Sequence, residues 1–414
     1  MNGHDIISLG LGIKSPWRIV GQMLDRSKSP HELRIRVQAD RGSEFPCPVC
    51  GKMCKAHDFQ ESTWRHLNFF QHHCYITAKV PRVKCAEHGV KMIKVPWARK
   101  GSRFTLLFEQ AALLLVREMP VLSAARIMGI TDKSLWRIVI HYVEEAISGL
   151  DLSYVQSIGV DETSSGKRHQ YVTVFIDMDR GKRSVVYAVP GKGKDTIEAF
   201  NKFLKEHGGC SDNIAVAVCD MSKAFISGIE EQFSNAEVVV DWFHVVKLFN
   251  SAVDEVRCKE SKKKPMPKGT RWAVLKASDK ALTKGQKELL SQLEEYAVET
   301  SKAWRIKEML RWINKAETSQ GASWRITHFL NYACNLVKDN PFLQPVKKAL
   351  NAIKRHKKRI IARWGNDYTN ARLEGLNGLF QAARARARGY RNAYTFITMI
   401  YLIAAPIDHI LKST

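Results

Sequence analysis

Three acidic residues stand where a carboxylate can hold a metal ion. Asp161 closes the apolar run SIGVD, Asp220 closes IAVAVCD, and Glu374 sits within the helical stretch NDYTNARLEGLNGLFQAARARARGY. Apolar or β-branched runs that end in a carboxylate read as buried strands delivering an oxygen ligand to the edge of a sheet. A third carboxylate from a helix completes a site for Mg²⁺ or Mn²⁺, hard ions that take oxygen ligands. Two such ions clamp the attacking and leaving oxygens of a phosphoryl displacement. Each acid also has an ordinary use: Asp161 as a turn cap, Asp220 as N-cap of the helix AFISGIEEQF, Glu374 as a solvated helix residue. Their joint order of strand end, strand end and helix favours the metal reading.

Neighbouring residues add to the pattern. Asn370, Glu374, Asn377, Gln381, Arg384 and Arg388 recur every three or four positions and form one polar stripe, suited to tracking a DNA backbone beside the acids. Asp241 ends another apolar run, and His244 follows one turn later; both are candidates for catalytic support or for capping. Glu162 alternates away from Asp161 on a strand, and Asp177 and Asp179 read as turn residues.

A second chemistry lies nearer the start. Cys47 and Cys50 (CPVCG) and Cys85 and His88 (CAEH) are two pairs with the same two-residue gap, about a β-hairpin apart. Two such knuckles suit one tetrahedral Zn²⁺ in a closed structural site. Cys54, His57, His66, His72, His73 and Cys74 compete for ligation, and His57 is the alternative to His88. Arg41, Lys52, Arg65, Arg82 and Lys84 surround the pairs with charge that fits DNA docking. Further on, SAARIMGITDKSLWRIVIHYV has the form of a helix-turn-helix. Gly129 would make its turn, Thr131 or Asp132 would cap the second helix, and Leu135, Ile138 and Val139 would face inward. Lys133, Ser134, Trp136 and Arg137 would then face a major groove.

The elements that must position these groups fall into a multidomain order. Residues 1–40 are an unassigned lead-in, 41–98 a zinc-ribbon-like domain, and 100–150 a helical DNA-binding segment. From 153 to 250, three strand-like runs, a helix and two more runs (SIGVD, YVTVFIDMD, RSVVYAVP; NIAVAVCD, AEVVVDWF) predict an α/β core with a mixed five-stranded sheet. Residues 251–350 read as an all-helical insertion, and 351–414 as helices that return Glu374 to the core. Trp242, Trp272 and Trp304 read as core residues.

Composition narrows the partners. Among 414 residues, 65 Lys and Arg face 41 Asp and Glu, a formal net charge of +24, which favours a polyanion such as DNA. With 45% hydrophobic residues, the chain can bury a large core. No run reaches the ~18 apolar residues of a membrane span, and the N-terminal segment lacks a signal-peptide pattern. Nine Cys, five of them before residue 90, fit a reduced cytoplasmic protein with a local metal site better than a disulfide framework. There is no G-x-x-x-x-G-K-[ST] loop, so no nucleotide cofactor is expected.

Taken in order, CPVCG…CAEH, the helix-turn-helix, IGVDE, AVCDMS, DWFHVVK and YTNARLEGLNG…RGYRN resemble the bacterial insertion-sequence transposases of the ISL3 family, from about residue 40 to 402. The resemblance implies an RNase H-like catalytic domain of the DDE type, with Asp161, Asp220 and Glu374 as the triad and Asp241 and His244 as a D-x-x-H motif. It also implies a helical insertion before the last acid. One departure concerns the cations after Glu374: such proteins carry an Ile-Lys and a Lys-Arg pair where this chain has LFQAARARAR. The expected function is binding of terminal inverted repeats and target DNA, with strand cleavage and strand transfer using two Mg²⁺ and no ATP. Synapsis of two DNA ends implies a homodimer or larger assembly. Two rivals are a catalytically idle DNA-binding regulator and an RNase H-like nuclease or resolvase that joins no strands.

Overall fold

Period-two patterning dominates residues 17–92, and it folds as a six-stranded sheet. The computed structural model describes residues 8, 11–166, 170–181, 184–276, 282–366, 368 and 371–406. Strands β1 (Trp17–Asp25), β2 (Glu32–Ala39), β3 (Glu44–Pro46), β4 (Met53–Phe69) and β5 (His72–Cys85) lie in the order β1-β2-β5-β4-β3, and β6 (Gly89–Met92) pairs with β5. Strand β2 runs parallel to β5, Glu32–Val37 against His73–Ala78. Within the lead-in, which the sequence leaves unassigned, residues 17–39 therefore supply two strands of this sheet. Ile35, Val37, Ile76, Val80 and Val83 are buried together, and Trp17 and Trp64 each meet Trp97 edge-on.

Three helices follow: α1 (Leu106–Glu118), α2 (Val121–Met128) and α3 (Asp132–Ser148). Thr105 caps α1, accepting from the Phe108 N–H at 3.3 Å. Gly129 ends α2 at φ 65°, the left-handed region where a side chain is strained, and a Cβ there would meet the His73 ring at 3.4 Å. Leu135, Ile138 and Val139 are buried, so α3 turns its apolar stripe inward. Glu109, fully buried, accepts from Arg99 at 2.9 Å, Ser102 at 2.6 Å and Tyr142 at 2.7 Å, tying α1 to α3. The chain divides into two compact units, between Tyr142 and Val143.

In the second unit, β7 (Ser157–Ser164), β8 (Tyr171–Asp177) and β9 (Val185–Pro190) form an antiparallel meander. Helix α4 (Lys194–Glu206) leads to β10 (Val216–Cys219), and α5 (Lys223–Gln232) to β11 (Glu237–Val240). The order β11-β10-β7-β8-β9, with β7, β10 and β11 parallel, is that of an RNase H-like core. Ile197, Phe200 and Leu204 of α4 bury against Val160, Phe175, Phe225 and Ile229.

The remaining elements are helical: α6 (Trp242–Ser261), α7 (Thr270–Leu275), α8 (Lys284–Ser291), α9 (Leu293–Tyr296), α10 (Val298–Asn314), α11 (Ser319–Val337), α12 (Gln344–Ile361), α13 (Ala371–Arg386) and α14 (Ala393–Ala404). Phe249, Val253, Ile306, Leu310, Phe329, Leu350 and Ile353 form one core through α6, α10, α11 and α12. Trp242 is in that core and Trp304 packs against it, but Trp272 is 59% exposed, against the sequence expectation. Helix α14 docks on β9, where the Tyr401 hydroxyl accepts from the Ala188 N–H at 3.0 Å. No described helix is long and apolar enough to cross a membrane.

Candidate active site and metal cluster

The register of the parallel pair β7–β10 aligns the first two acids. Gly159 lies opposite Val218, and two residues further on come Asp161 and Asp220. Asp161 lies within β7 and not at its end, because β8 continues to pair with β7 beyond it, Asp161 opposite Val174. Its Oδ1 accepts from the Glu162 N–H at 2.8 Å and lies 3.9 Å from His244 Nε2. Asp220 Oδ1 accepts from the Ser222 N–H at 2.8 Å in the turn entering α5, whose N-cap is Ser222. Asp241 is the N-cap of α6, accepting from Phe243 N–H at 3.3 Å, and His244 lies in that helix's first turn. Glu374 sits in the first turn of α13.

Electrostatics joins these groups. Burial pushes the Asp161 carboxyl up to about 6, with Asp220 adding to the rise while His244 and the Glu162 N–H oppose it. Burial pushes Glu374 up to about 7, and the charges of Asp241 and Asp161 add to it against Lys247. Asp241 is also raised, again chiefly by burial. Two carboxylate oxygens of this group, Asp241 Oδ2 and Glu374 Oε1, are buried without a hydrogen-bond partner among the described residues. Acids that raise one another's pKa and keep unpartnered oxygens fit a divalent cation, which would satisfy both. No three carboxylates among the described residues gather their oxygens within 4.8 Å of one another.

The polar stripe after Glu374 is used differently from its expected role as a backbone-tracking groove. Asn377 Nδ2 donates to Asp161 Oδ2 at 2.8 Å. Gln381 Nε2 donates to Thr163 Oγ1 at 2.8 Å and to the Ser164 carbonyl at 2.9 Å, and Arg384 donates to the same carbonyl. These three side chains fasten α13 to β7, because the stripe faces the sheet. Arg388 is exposed at φ 58°, and Asn370 lies outside the described residues.

In the first unit, Cys47, Cys50, Cys85 and His88 bring their ligand atoms within 4.8 Å of one another. Hairpin turns hold them: Cys47 and Cys50 lie between β3 and β4, while Cys85 ends β5 and His88 lies between β5 and β6. Gly51 and Gly89, at φ 74° and 68°, close the two turns in the left-handed region. Cys50 Sγ lies 3.7 Å from Cys85 Sγ, and Cys85 Sγ lies 3.5 Å from His88 Nδ1. The hydrogen bond to His88 leads in lowering the Cys85 thiol to about 6. Thiolates and an imidazole at this spacing suggest a zinc ion. Other candidate ligands are engaged elsewhere: His66 bonds Thr105 at 2.8 Å, Cys74 is buried in the sheet core, and His72 stacks on His31. Arg65 is not a docking cation; it is buried and donates to the carbonyls of His66 and Cys74. Arg82 pairs with Asp58, and Lys52 with Glu87.

At the start of α3, Lys133 and Arg137 are exposed and Trp136 is half-buried. Ser134 belongs to the cap: its N–H donates to Thr131 Oγ1 at 3.2 Å, and the two hydroxyls lie 2.9 Å apart.

Comparison with known proteins agrees with this organisation. Residues 43–88 match the zinc-finger of transposases IS204/IS1001/IS1096/IS1165, and 93–143 the helix-turn-helix domain of transposase family ISL3. Residues 158–400 match the ISL3 DDE domain, described as a transposase. The transposase for insertion sequence element IS1557 of Mycobacterium tuberculosis is 24% identical over 393 residues, covering 87% of this chain and 85% of that protein. The transposase for insertion sequence element IS1001 of Bordetella parapertussis is 24% identical over 366 residues, covering 86% and 87%. A zinc ribbon, a helix-turn-helix domain and an RNase H-like sheet, in that order along the chain, are thus the parts of a DNA-binding transposase. The chain belongs to the ISL3 family of insertion-sequence transposases.

Proposed function

We propose that this chain cleaves the ends of its insertion sequence and joins them to target DNA by metal-dependent phosphoryl transfer, with Asp161, Asp220 and Glu374 as the catalytic acids. The observation that carries the reading is the register that sets Asp161 beside Asp220, together with Glu374, whose carboxyl is raised by burial and then by the charges of Asp241 and Asp161. Mg²⁺ or Mn²⁺ held by the three acids would neutralise charge on the transferring phosphate and make a bound water more acidic. Asn377 holds Asp161 Oδ2, so Oδ1 faces His244. Asp241 and His244 are positioning residues, Asp241 through the start of α6 and His244 through its approach to Asp161.

The reaction is an in-line displacement at phosphorus. A water oxygen forms a P–O bond as the bond to the 3′ oxygen breaks, leaving a 3′-hydroxyl; that hydroxyl then attacks a target phosphate in the same way. Bond energy passes through the exchange, so no nucleotide is consumed. Cys47, Cys50, Cys85 and His88 hold one structural zinc ion. Lys133 and Arg137 of α3 read the terminal inverted repeats, with Trp136 beside them, and synapsis brings two copies together.

The test is nicking of labelled duplex carrying the element's ends, with Mg²⁺ or EDTA, by the wild type and Asp220→Asn. Metal-dependent nicking lost in the variant, with end binding intact, supports the reading. Binding without cleavage in either protein points to a DNA-binding regulator, and cleavage that ignores the end sequence points to a nuclease.

A further inference from the structure

Asn377, Gln381 and Arg384 are engaged by β7, so the phosphates beside the carboxylates must find their cations elsewhere. Helix α12 and the turn after it, residues 344–365, carry eight Lys or Arg residues and no Asp or Glu. Three of the eight have partners. Arg359 pairs with Glu230, Lys357 donates to Thr327 Oγ1 at 2.7 Å, and Arg363 donates to Asn314 Oδ1 at 2.6 Å. The other five, Lys347, Lys348, Lys354, Arg355 and Lys358, are exposed and make no ion pair with the described residues. Their spacing puts them on one side of the helix, opposite the buried Val346, Ala349, Leu350, Ile353 and Ile360.

A solvated helix face ordinarily mixes signs, because like charges three or four residues apart cost roughly 0.2–0.5 kcal/mol per pair. Lys354 and Arg355 each face Lys358 in that way with no acid between them. The ridge also has a position: α12 packs on β11, and Arg359 reaches Glu230 of α5, so its C-terminal end adjoins the sheet edge from which Asp241 follows. From residue 347 to 358 it extends about 17 Å, the axial rise of about five base pairs at roughly 3.4 Å each. Its exposed positions hold no aromatic residue for stacking unpaired bases and no apolar residue for entering a lipid surface.

We propose that this face of α12 is a binding site for the duplex backbone, its five cations each meeting a phosphate of the DNA that crosses the catalytic acids. The proposal deepens the transposase reading and rests on it for the identity of the polyanion.

The experiment measures duplex affinity of the full chain, without divalent metal, across a range of salt concentrations. The K347Q/K348Q/K354Q/R355Q/K358Q variant should bind at least tenfold more weakly at low salt, and its log–log salt slope should be shallower by about 4.5, at roughly 0.9 per phosphate contact. Element-end and random duplexes should lose equally, since phosphate contacts carry no sequence information. The milder K354Q/K358Q variant should lose about two in slope, with an unchanged unfolding temperature, which separates the effect from misfolding. Lys202 and Lys259, paired with Glu206 and Glu255, serve as controls, and their change to Gln should leave the slope within about one unit of wild type. An unchanged slope in both ridge variants overturns the proposal. So does an equal loss in the control. Nicking with Mg²⁺ is scored separately, so failure of the ridge and failure of the catalytic reading give different results.

Discussion

Replacing Asp161 with Asn should make the metal-free catalytic unit more stable at pH 8. The Asp161 carboxyl is only 7% exposed and is pushed up to about 6 from an ordinary 3.8. Its folded form therefore binds a proton more tightly than its unfolded form, and stability falls as pH rises through about 4 to 6. Above that window the buried charge costs on the order of 2–3 kcal/mol, at about 1.36 kcal/mol per pK unit. An amide carries no such charge. It can also keep the local hydrogen bonds, because Asn377 Oδ1 is buried without a partner among the described residues and can accept from the new amide once its own amide turns over. A net gain of about 2 kcal/mol corresponds to roughly 4–8 °C in a unit of this size. The assay is thermal unfolding of both proteins in EDTA at pH 8 and pH 5, repeated at pH 8 with Mg²⁺. The variant should unfold several degrees higher than wild type at pH 8 in EDTA, with a much smaller difference at pH 5. Mg²⁺ should raise wild type and leave the variant nearly unmoved. A variant that is less stable than wild type by the same margin at both pH values would refute the electrostatic account of the site.

Other consequences are open to direct measurement. Cys85→Ser should take bound zinc, read by elemental analysis, from one ion per chain to none, and should unfold the β5–β6 turn at lower temperature. Gly129→Ala forces a side chain into φ 65° and against the His73 ring, so denaturant unfolding should show a loss of about 1 kcal/mol. Asn377→Ala should slow nicking by roughly 10–100-fold, because it frees an oxygen of Asp161, while end binding stays at the wild-type level.

Much of the site was legible because buried strands and metal knuckles leave local signatures. Asp161 and Asp220 each close an apolar run, and the pairing of β7 with β10 reaches Gly159 and Val218, two residues before each acid. The Cys47–Cys50 and Cys85–His88 pairs were legible from spacing alone, since each pair occupies a single hairpin turn. What stayed hidden was non-local. Helical spacing showed that Asn377, Gln381 and Arg384 share a face, but not that β7 lies against it. The parallel pairing of residues 32–37 with 73–78 spans two intervening strands and has no turn signal to announce it. Asp161 falls within its strand because β8 continues the hairpin past it, which the end of an apolar run does not reveal. The basic residues of α12 acquire a common face only through the helix's buried side and its packing on β11.

The most direct test of the central claim is strand joining. Pre-cut element ends bearing a 3′-hydroxyl are mixed with plasmid target, Mg²⁺ and wild type, Asp161→Asn, Asp220→Asn or Glu374→Gln. The account predicts joined product with wild type alone, and end binding by all four proteins. Joining that persists in any one of the three variants would contradict it.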